Sequence, residues 1–190
     1  MNIITYLIIV NVIGLILSLL DVKVFRTNSF IQVILMIIGA IGGSVGILLP
    51  ILILDRKPKK ENMMLRVFLL CMLIIQIVMI IFYKGNYLED PNFNFIAFFN
   101  KYRFFGYYLI IVNIITFIIY GLDKLFAKKN KRRISIVALF TLAFIGGSIG
   151  ALIAMYVFKH KTQKPYFTVG IPLIIVMQLV VLFVVMNICL

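Results

Sequence analysis

The sequence is poor in acidic residues, histidine, cysteine and tryptophan, and each shortage restricts what the protein can be. Its 190 residues include 6 Asp and Glu, 1 His, 2 Cys and no Trp. Cys71 and Cys189 lie in separate apolar runs, with no second cysteine at metal-ligand or redox spacing, so we expect no metal site and no cofactor. No Asp or Glu lies deep in an apolar run, which argues against a carboxylate proton relay.

Apolar residues dominate the rest of the sequence, at 64% of the chain with a mean hydropathy of +1.15. Ordinary soluble domains are roughly 45–50% apolar, so we predict an all-α integral membrane protein. Crossing a hydrocarbon core takes about 20 apolar residues in a helix. Six stretches qualify, near 2–20, 30–54, 65–83, 105–122, 134–158 and 168–189. They predict a three-helix unit over 1–83, an interfacial linker over 84–104 and a second three-helix unit over 105–190.

The 19 Lys and Arg residues lie mostly in short runs between the apolar stretches, and the net charge is +13. Such loop charge sets membrane orientation, with the cytoplasmic side richer in Lys and Arg. Six straight spans with a cytoplasmic N-terminus place 11 of these residues inside and 8 outside. The tally predicts a multi-pass plasma-membrane protein with its N-terminus in the cytoplasm. No segment is long enough for a folded basic face, so nucleic-acid binding is not expected.

The two halves of the chain are related by an internal repeat. The sequence YLIIVN occurs at 6–11 and again at 108–113, and the GGS-x-G motif occurs at 42–46 and again at 146–150. Asp21 corresponds to Asp123 in the same register. Three spans per half would insert the second half upside down relative to the first, so we predict two inverted repeats. Transporters often have this architecture, with a substrate site near the bilayer midplane.

Each predicted span carries one polar residue near its middle. These residues are Asn11, Ser44, Gln76, Asn113, Ser148 and Gln178. Amides are costly in hydrocarbon unless they are hydrogen-bonded, so we expect these side chains to face one another or a hydrated cavity. One interpretation is a polar midplane site for a small, neutral or weakly charged solute. The other is interhelical hydrogen bonding, worth on average about 0.6 kcal/mol per residue.

Glycines in the two repeated motifs have small-xxx-small spacing, which favours close helix packing. The packing residues predicted are Gly42, Gly43, Gly46, Gly146, Gly147 and Gly150. Local unwinding of the helix or a glycine-lined path is the alternative. A phosphate-binding loop is excluded because no Gly-Lys-Ser/Thr ending follows either motif.

A third group of candidates lies at the predicted membrane interfaces, where a phosphate-bearing lipid or an anionic solute could bind. It comprises Asp21, Asp123, His160, Lys161 and Lys164. A straight 25-residue helix is about 37 Å long, so Asp123 and His160 are expected at opposite faces unless that helix is broken. An enzyme acting on lipid headgroups would then have to use Asp21 with His160. A lone histidine among lysines is more often a solvated residue.

Four motifs of the second half carry a family resemblance. They are Gly121-Leu122-Asp123-Lys124, Arg132-Arg133-Ile134, Gly146-Gly147-Ser148-Ile149-Gly150 and His160-Lys161-Thr162 followed by Lys164. From Tyr120 onward the sequence resembles the bacterial membrane domain-of-unknown-function family 1294. The resemblance implies a three-helix unit without an established activity. The first half is a diverged copy with Asp55-Arg56-Lys57-Pro58 where the family has His-Lys-Thr, so any role of that motif rests with the second half.

Two functions remain open from the sequence. The leading hypothesis is a protein that binds or transports a small solute or ion at the midplane. The alternative is a non-catalytic module that binds anionic lipid headgroups or a partner membrane protein, and an enzyme is the less favoured class. The bilayer is the expected partner, and self-association into a homo-oligomer is compatible with the glycine motifs.

Overall fold

The computed structural model describes residues 3–22, 29–55, 62–85, 93–130 and 132–189, and every regular element within these ranges is helical. The helices are α1 (Ile3–Leu20), α2 (Ser29–Ile38), α3 (Ser44–Leu54), α4 (Met63–Lys84), α5 (Phe95–Lys101), α6 (Arg103–Lys128), α7 (Ile136–Leu142), α8 (Ser148–Val157), α9 (Pro165–Thr168) and α10 (Gly170–Cys189). The chain divides into two compact units, Met1–Ile80 and Ile81–Leu190.

Five apolar segments are long enough to cross a membrane, and α1 adds a shorter apolar helix. These segments are Ser29–Leu54, Met63–Lys84, Arg103–Lys128, Ile136–Val157 and Pro165–Cys189. The prediction of an all-α, multi-pass membrane protein is confirmed at this level. Two of the five segments are not continuous helices, because each contains one glycine with a positive φ, 121° at Gly42 and 127° at Gly146. A side chain rarely adopts this left-handed backbone, so glycine permits the break.

In the second unit the segment Ile136–Val157 folds back on itself at Gly146. Asp123, near the end of α6, accepts one hydrogen bond from the Ile134 backbone N–H at 2.9 Å and another from His160 Nε2 at 2.8 Å. Ile134 precedes α7 and His160 follows α8, so both ends of the segment lie at one carboxylate. A straight 22-residue helix would separate its ends by about 33 Å. We call Ile136–Val157 the second hairpin.

The order of contacts along α6 shows how the second hairpin lies. Asn113 contacts Gly150, Gly121 lies against Phe158 and Asp123 meets His160, so α8 runs parallel to α6. The tip of the hairpin lies near Asn113, ten residues before Asp123. That distance is about 15 Å along α6, or half the thickness of a hydrocarbon core.

The first unit has the same fold-back over Ser29–Leu54, the first hairpin. The Asn62 amide accepts a hydrogen bond from Gln32 in α2 at 3.1 Å and donates one to Asp55 after α3 at 2.7 Å. Both ends of the hairpin therefore meet at the start of α4. Leu35, Ile47, Leu48, Ile51, Leu65 and Leu69 form the buried core between the hairpin and α4.

The prediction of straight membrane-length helices over 30–54 and 134–158 is therefore wrong. Hydropathy counted the two arms of each hairpin as one span, because both arms are equally apolar. The prediction of six spans and the prediction of inverted repeats both assume that these two segments cross the membrane as continuous helices.

Candidate functional site

Breaking a helix inside the membrane leaves backbone carbonyls without partners, and lipid cannot supply them. At the tip of the first hairpin, the four carbonyls of residues 39–42 each accept a hydrogen bond from a side chain. Gln76 Nε2 donates to Gly39 at 2.7 Å and to Ala40 at 3.4 Å. Tyr6 Oη donates to Ile41 at 2.9 Å, and Asn11 Nδ2 donates to Gly42 at 2.9 Å.

The tip of the second hairpin repeats this arrangement at residues 143–146. Gln178 Nε2 donates to the carbonyls of Ala143 and Phe144 at 2.7 and 3.2 Å. The Tyr108 hydroxyl donates to the next carbonyl, Ile145, at 2.6 Å, and Asn113 Nδ2 donates to Gly146 at 2.9 Å. The same three residue types thus satisfy the same four carbonyls in both units.

The residues of the predicted polar layer are the ones that hold the hairpin tips. Asn11 and Asn113 also accept from the backbone N–H of Gly46 and Gly150, at 2.8 and 2.6 Å. Ser44 donates to Gln76 at 2.6 Å, and Ser148 pairs with Gln178 in the same way. Both donors of each amide are engaged by the backbone of its own unit.

The glycine motifs allow both a break in the helix and close packing between helices. Gly42 and Gly146 break the helices, and Gly46 and Gly150 allow close packing. A Cβ on Gly46 would lie 2.0 Å from the carbonyl oxygen of Asn11 on α1, far inside van der Waals contact. Packing and local unwinding, the two interpretations of these glycines, therefore occur side by side.

Substituting Gly46→Ala is expected to destabilise the first unit by roughly 1–3 kcal/mol, because the new methyl group meets backbone that cannot rotate away. Buried Cys71 reports the loss through its reaction with a thiol-specific dye on heating, in a Cys189→Ser background. Gly106→Ala is the control, since a Cβ there meets only Phe99 at 3.5 Å. Equal melting of the two variants would contradict the packing role of Gly46.

A charged cluster lies where the two ends of the second hairpin meet α6. The Asp123 side chain is fully buried and bonded by three groups, the Ile134 N–H, His160 Nε2 and Lys161 Nζ, the last at 2.8 Å. The side chains of His160 and Lys161 are each 15% exposed. Asp123 therefore joins the loop before α7 to the loop after α8.

Lys161 also lies over the Phe167 ring, with Nζ 4.7 Å from its centroid, and Phe167 stacks on Phe140 of α7. Burial lowers the pKa of the Lys161 ammonium; Asp123 raises it in part, and Arg133 lowers it further. The backbone has a positive φ at both neighbours of His160, 46° at Lys159 and 63° at Lys161. Such non-glycine conformations cluster at functional sites.

The structure brings some of the predicted interfacial residues together and separates others. Asp123, His160 and Lys161 are in direct contact, and Lys164 is exposed three residues further on, where its backbone N–H bonds the Lys161 carbonyl. The expectation that reach separates Asp123 from His160 is wrong, because the helix between them is broken at Gly146. His160 therefore does not need Asp21 as its carboxylate partner. Asp21 is buried near the end of α1 in the first unit.

The first unit has a different cluster at the corresponding end. Asp55 accepts from Asn62 at 2.7 Å and forms an ion pair with Arg66 at 3.2 Å. The residues that align with His160 and Lys161 are Arg56 and Lys57, which lie outside the described residues. The histidine-containing cluster is therefore a feature of the second unit.

Sequence reasoning missed Tyr6 and Tyr108 as structural partners of the hairpins. A tyrosine at the start of an apolar run is typical of the membrane interface, but the Tyr108 hydroxyl bonds the hairpin tip. The signal was present in the repeated sequence YLIIVN, where tyrosine and asparagine recur together at fixed spacing.

The second unit is similar to known proteins of unassigned function. The chain matches the family described as "Protein of unknown function (DUF1294)" over residues 113–167, which contain the second hairpin, Asp123 and His160. It is 35% identical over 75 residues to "Uncharacterized protein YsdA" of Bacillus subtilis (strain 168), covering 40% of this chain and 84% of that protein. No solved structure matches the chain. The family resemblance predicted from the sequence is confirmed.

Proposed function

The chain belongs to the DUF1294 family, which has no assigned function, and we propose from its geometry that it binds anionic phospholipid headgroups. In this proposal the binding surface is the basic cytoplasmic end of the second unit, and binding involves no chemical change in the lipid. The observation that carries it is the fold-back of the two hairpins, because this decides where the positive charges lie.

The fold-back changes the membrane topology that the sequence implies. If each hairpin enters and leaves by one face, only α1, α4, α6 and α10 cross the bilayer. Two crossings per half return the chain to the side of the membrane on which that half begins. The loops at 21–29, 55–62, 129–135 and 158–164 then share one face. This proposal replaces six spans in two inverted repeats with four crossings and two re-entrant hairpins.

The distribution of charge supports the four-crossing topology. It places 16 of the 19 Lys and Arg residues at one face. The other three are Lys84, Lys101 and Arg103, between α4 and the start of α6 in the sequence. Six straight spans gave 11 and 8, a much weaker bias. Since the cytoplasmic side of a membrane protein is the side rich in Lys and Arg, both hairpins enter from the cytoplasm and α1 begins outside. This proposal places the start of α1 outside, opposite to the cytoplasmic N-terminus that the sequence predicts.

The cytoplasmic leaflet carries anionic lipids, and a basic residue near its surface contributes about 1 kcal/mol to binding. At the end of the second unit, Lys124 donates to the Lys159 carbonyl at 3.5 Å, and the side chains of Arg132, Arg133 and Lys164 are exposed. The one acid in this cluster, Asp123, is buried and already bonded to Lys161 and His160. The accessible charge is therefore cationic and suits a phosphate headgroup.

The midplane solute hypothesis has less support from the same contacts. The amides and hydroxyls on which it rested are hydrogen-bonded to the hairpin tips within their own units. A solute would have to displace these bonds and leave backbone carbonyls without partners in hydrocarbon.

The test is the binding of short-chain lipids to the purified protein in a neutral detergent. Dioctanoyl phosphatidylglycerol is expected to bind at least roughly tenfold more tightly than dioctanoyl phosphatidylcholine. Changing Lys124, Arg132 and Arg133 to Gln removes three charges and is expected to abolish most of this preference.

The control variant carries Lys101→Gln and Arg103→Gln, at the opposite end of α6, and is expected to keep the preference. Two results would overturn the proposal. One is equal affinity for the anionic and the zwitterionic lipid in the unaltered protein. The other is an equal loss of preference in the control variant.

A further inference from the structure

In the Asp123 cluster, one ring nitrogen of His160 is hydrogen-bonded to a carboxylate, and the other makes no hydrogen bond to a described residue. His160 Nε2 bonds the buried Asp123 carboxylate at 2.8 Å. Among the residues that the structure describes, His160 Nδ1 has no hydrogen-bond partner. The His160 side chain is 15% exposed, so a ligand at the membrane surface can contact the ring.

The contact with Asp123 determines whether His160 Nδ1 is a hydrogen-bond donor or an acceptor. A carboxylate only accepts hydrogen bonds, so Nε2 carries the proton and the neutral ring keeps its lone pair on Nδ1. The other charged groups around His160 are cations. Lys161 shares its carboxylate oxygen, Lys124 bonds the carbonyl of the preceding residue, and Arg133 acts electrostatically on Lys161. A matching ligand must be an anion that also donates a proton.

We propose that this site takes a phosphomonoester, whose P–O–H group donates its proton to His160 Nδ1 while its other oxygens face Lys124, Lys161 and Arg133. The proposal rests on the proposed function and names the headgroup class. The second pKa of a phosphomonoester is about 6, so part of it still carries a P–O–H group near neutral pH and can donate a hydrogen bond to the imidazole. A phosphodiester carries one charge and no such proton.

The P–O–H group donates a hydrogen bond to Nδ1, and no covalent bond to phosphorus is broken. Asp123 holds the ring through Nε2, so it acts as a positioning residue. The first unit carries Asp55-Arg56-Lys57 at the corresponding positions and lacks the imidazole. Selectivity for the monoester is therefore a property of the second unit.

The test compares dioctanoyl phosphatidate with dioctanoyl phosphatidylglycerol, using the full chain in neutral detergent and the variant His160→Gln. At pH 6.5 the unaltered protein is expected to bind phosphatidate roughly tenfold more tightly than the variant does, the size of one charge-assisted hydrogen bond. At pH 9, where the phosphomonoester has lost its second proton and can no longer donate, the two affinities should converge. Phosphatidylglycerol binding should be the same in both proteins, which also shows that the variant is folded.

The outcomes separate this inference from the proposed function. If both anionic lipids bind more tightly than phosphatidylcholine but His160→Gln changes neither at any pH, the monoester site is wrong and headgroup binding stands. If neither anionic lipid is preferred, both fail. Glycerol 3-phosphate distinguishes the source of the ligand: full competition at equal concentration indicates a soluble phosphomonoester, and no competition indicates the lipid.

Discussion

A cysteine introduced at Lys164 is expected to react with a membrane-impermeant maleimide from the same side as one at Lys129, and one at Lys101 only from the other side. In intact cells the label should reach position 101 alone, and the other two should react only after the membrane is opened. The reason is the second hairpin, whose two ends both lie at Asp123. The labelling difference is close to all-or-none.

Position 164 separates the two topologies, because six straight spans would place it with position 101. The experiment needs a background without Cys71 and Cys189, and Cys71 is buried in the first unit, so a small replacement such as Ala is suitable. Labelling of position 164 from outside in intact cells would reject the four-crossing topology. The cytoplasmic headgroup site would fall with it.

The helical elements and the polar residues could be predicted from the sequence, but their arrangement could not. Length and hydropathy identify apolar helices, and they give the same value for a spanning helix and for two short arms of a hairpin. The distinction depends on a single backbone angle, the positive φ of Gly42 or Gly146, and on partners for the freed carbonyls. Both requirements left traces in the repeated GGS-x-G and YLIIVN motifs.

Charge counting, which needs only the sequence, favours the four-crossing topology. The same 19 basic residues divide 11 to 8 with six spans and 16 to 3 with two hairpins. The weakness of the first bias is itself a signal against six straight spans. The pairing of Asp123 with His160 could not be reached in this way, because they are 37 positions apart and meet only after the chain reverses at Gly146.

The fold also explains why one polar residue recurs in each apolar segment. A re-entrant hairpin is tolerated in a bilayer only when protein groups satisfy its backbone. Each unit has a tyrosine and an asparagine on the helix before its hairpin (α1 or α6) and a glutamine on its last helix (α4 or α10) for this purpose. The hairpin tips and the loops at the membrane surface are thus separate features. The first make the fold possible, and the second carry the proposed binding site.

Replacing Asn113 with leucine is expected to be among the most damaging single changes in the second unit. The substitution leaves the carbonyl of Gly146 and the N–H of Gly150 without partners in an apolar environment. Each buried, unsatisfied group costs about 1–3 kcal/mol, so the expected loss of stability is roughly 2–6 kcal/mol. The measurement is the temperature at which half of the detergent-solubilised protein is lost from its monodisperse peak in size-exclusion chromatography.

Thr141→Val is the matched control for Asn113→Leu. It removes a hydroxyl from the same hairpin, but that hydroxyl only adds a bond of 2.9 Å to the carbonyl of Val137 within α7, and its side chain is exposed. A change of less than about 0.5 kcal/mol is expected there. Asn11→Leu should reproduce the large loss in the first unit, because Asn11 makes the same bonds to Gly42 and Gly46. If Asn113→Leu and the Thr141→Val control lose their monodisperse peaks at the same temperature, packing alone stabilises the hairpin tip, and the amide hydrogen bonds contribute little.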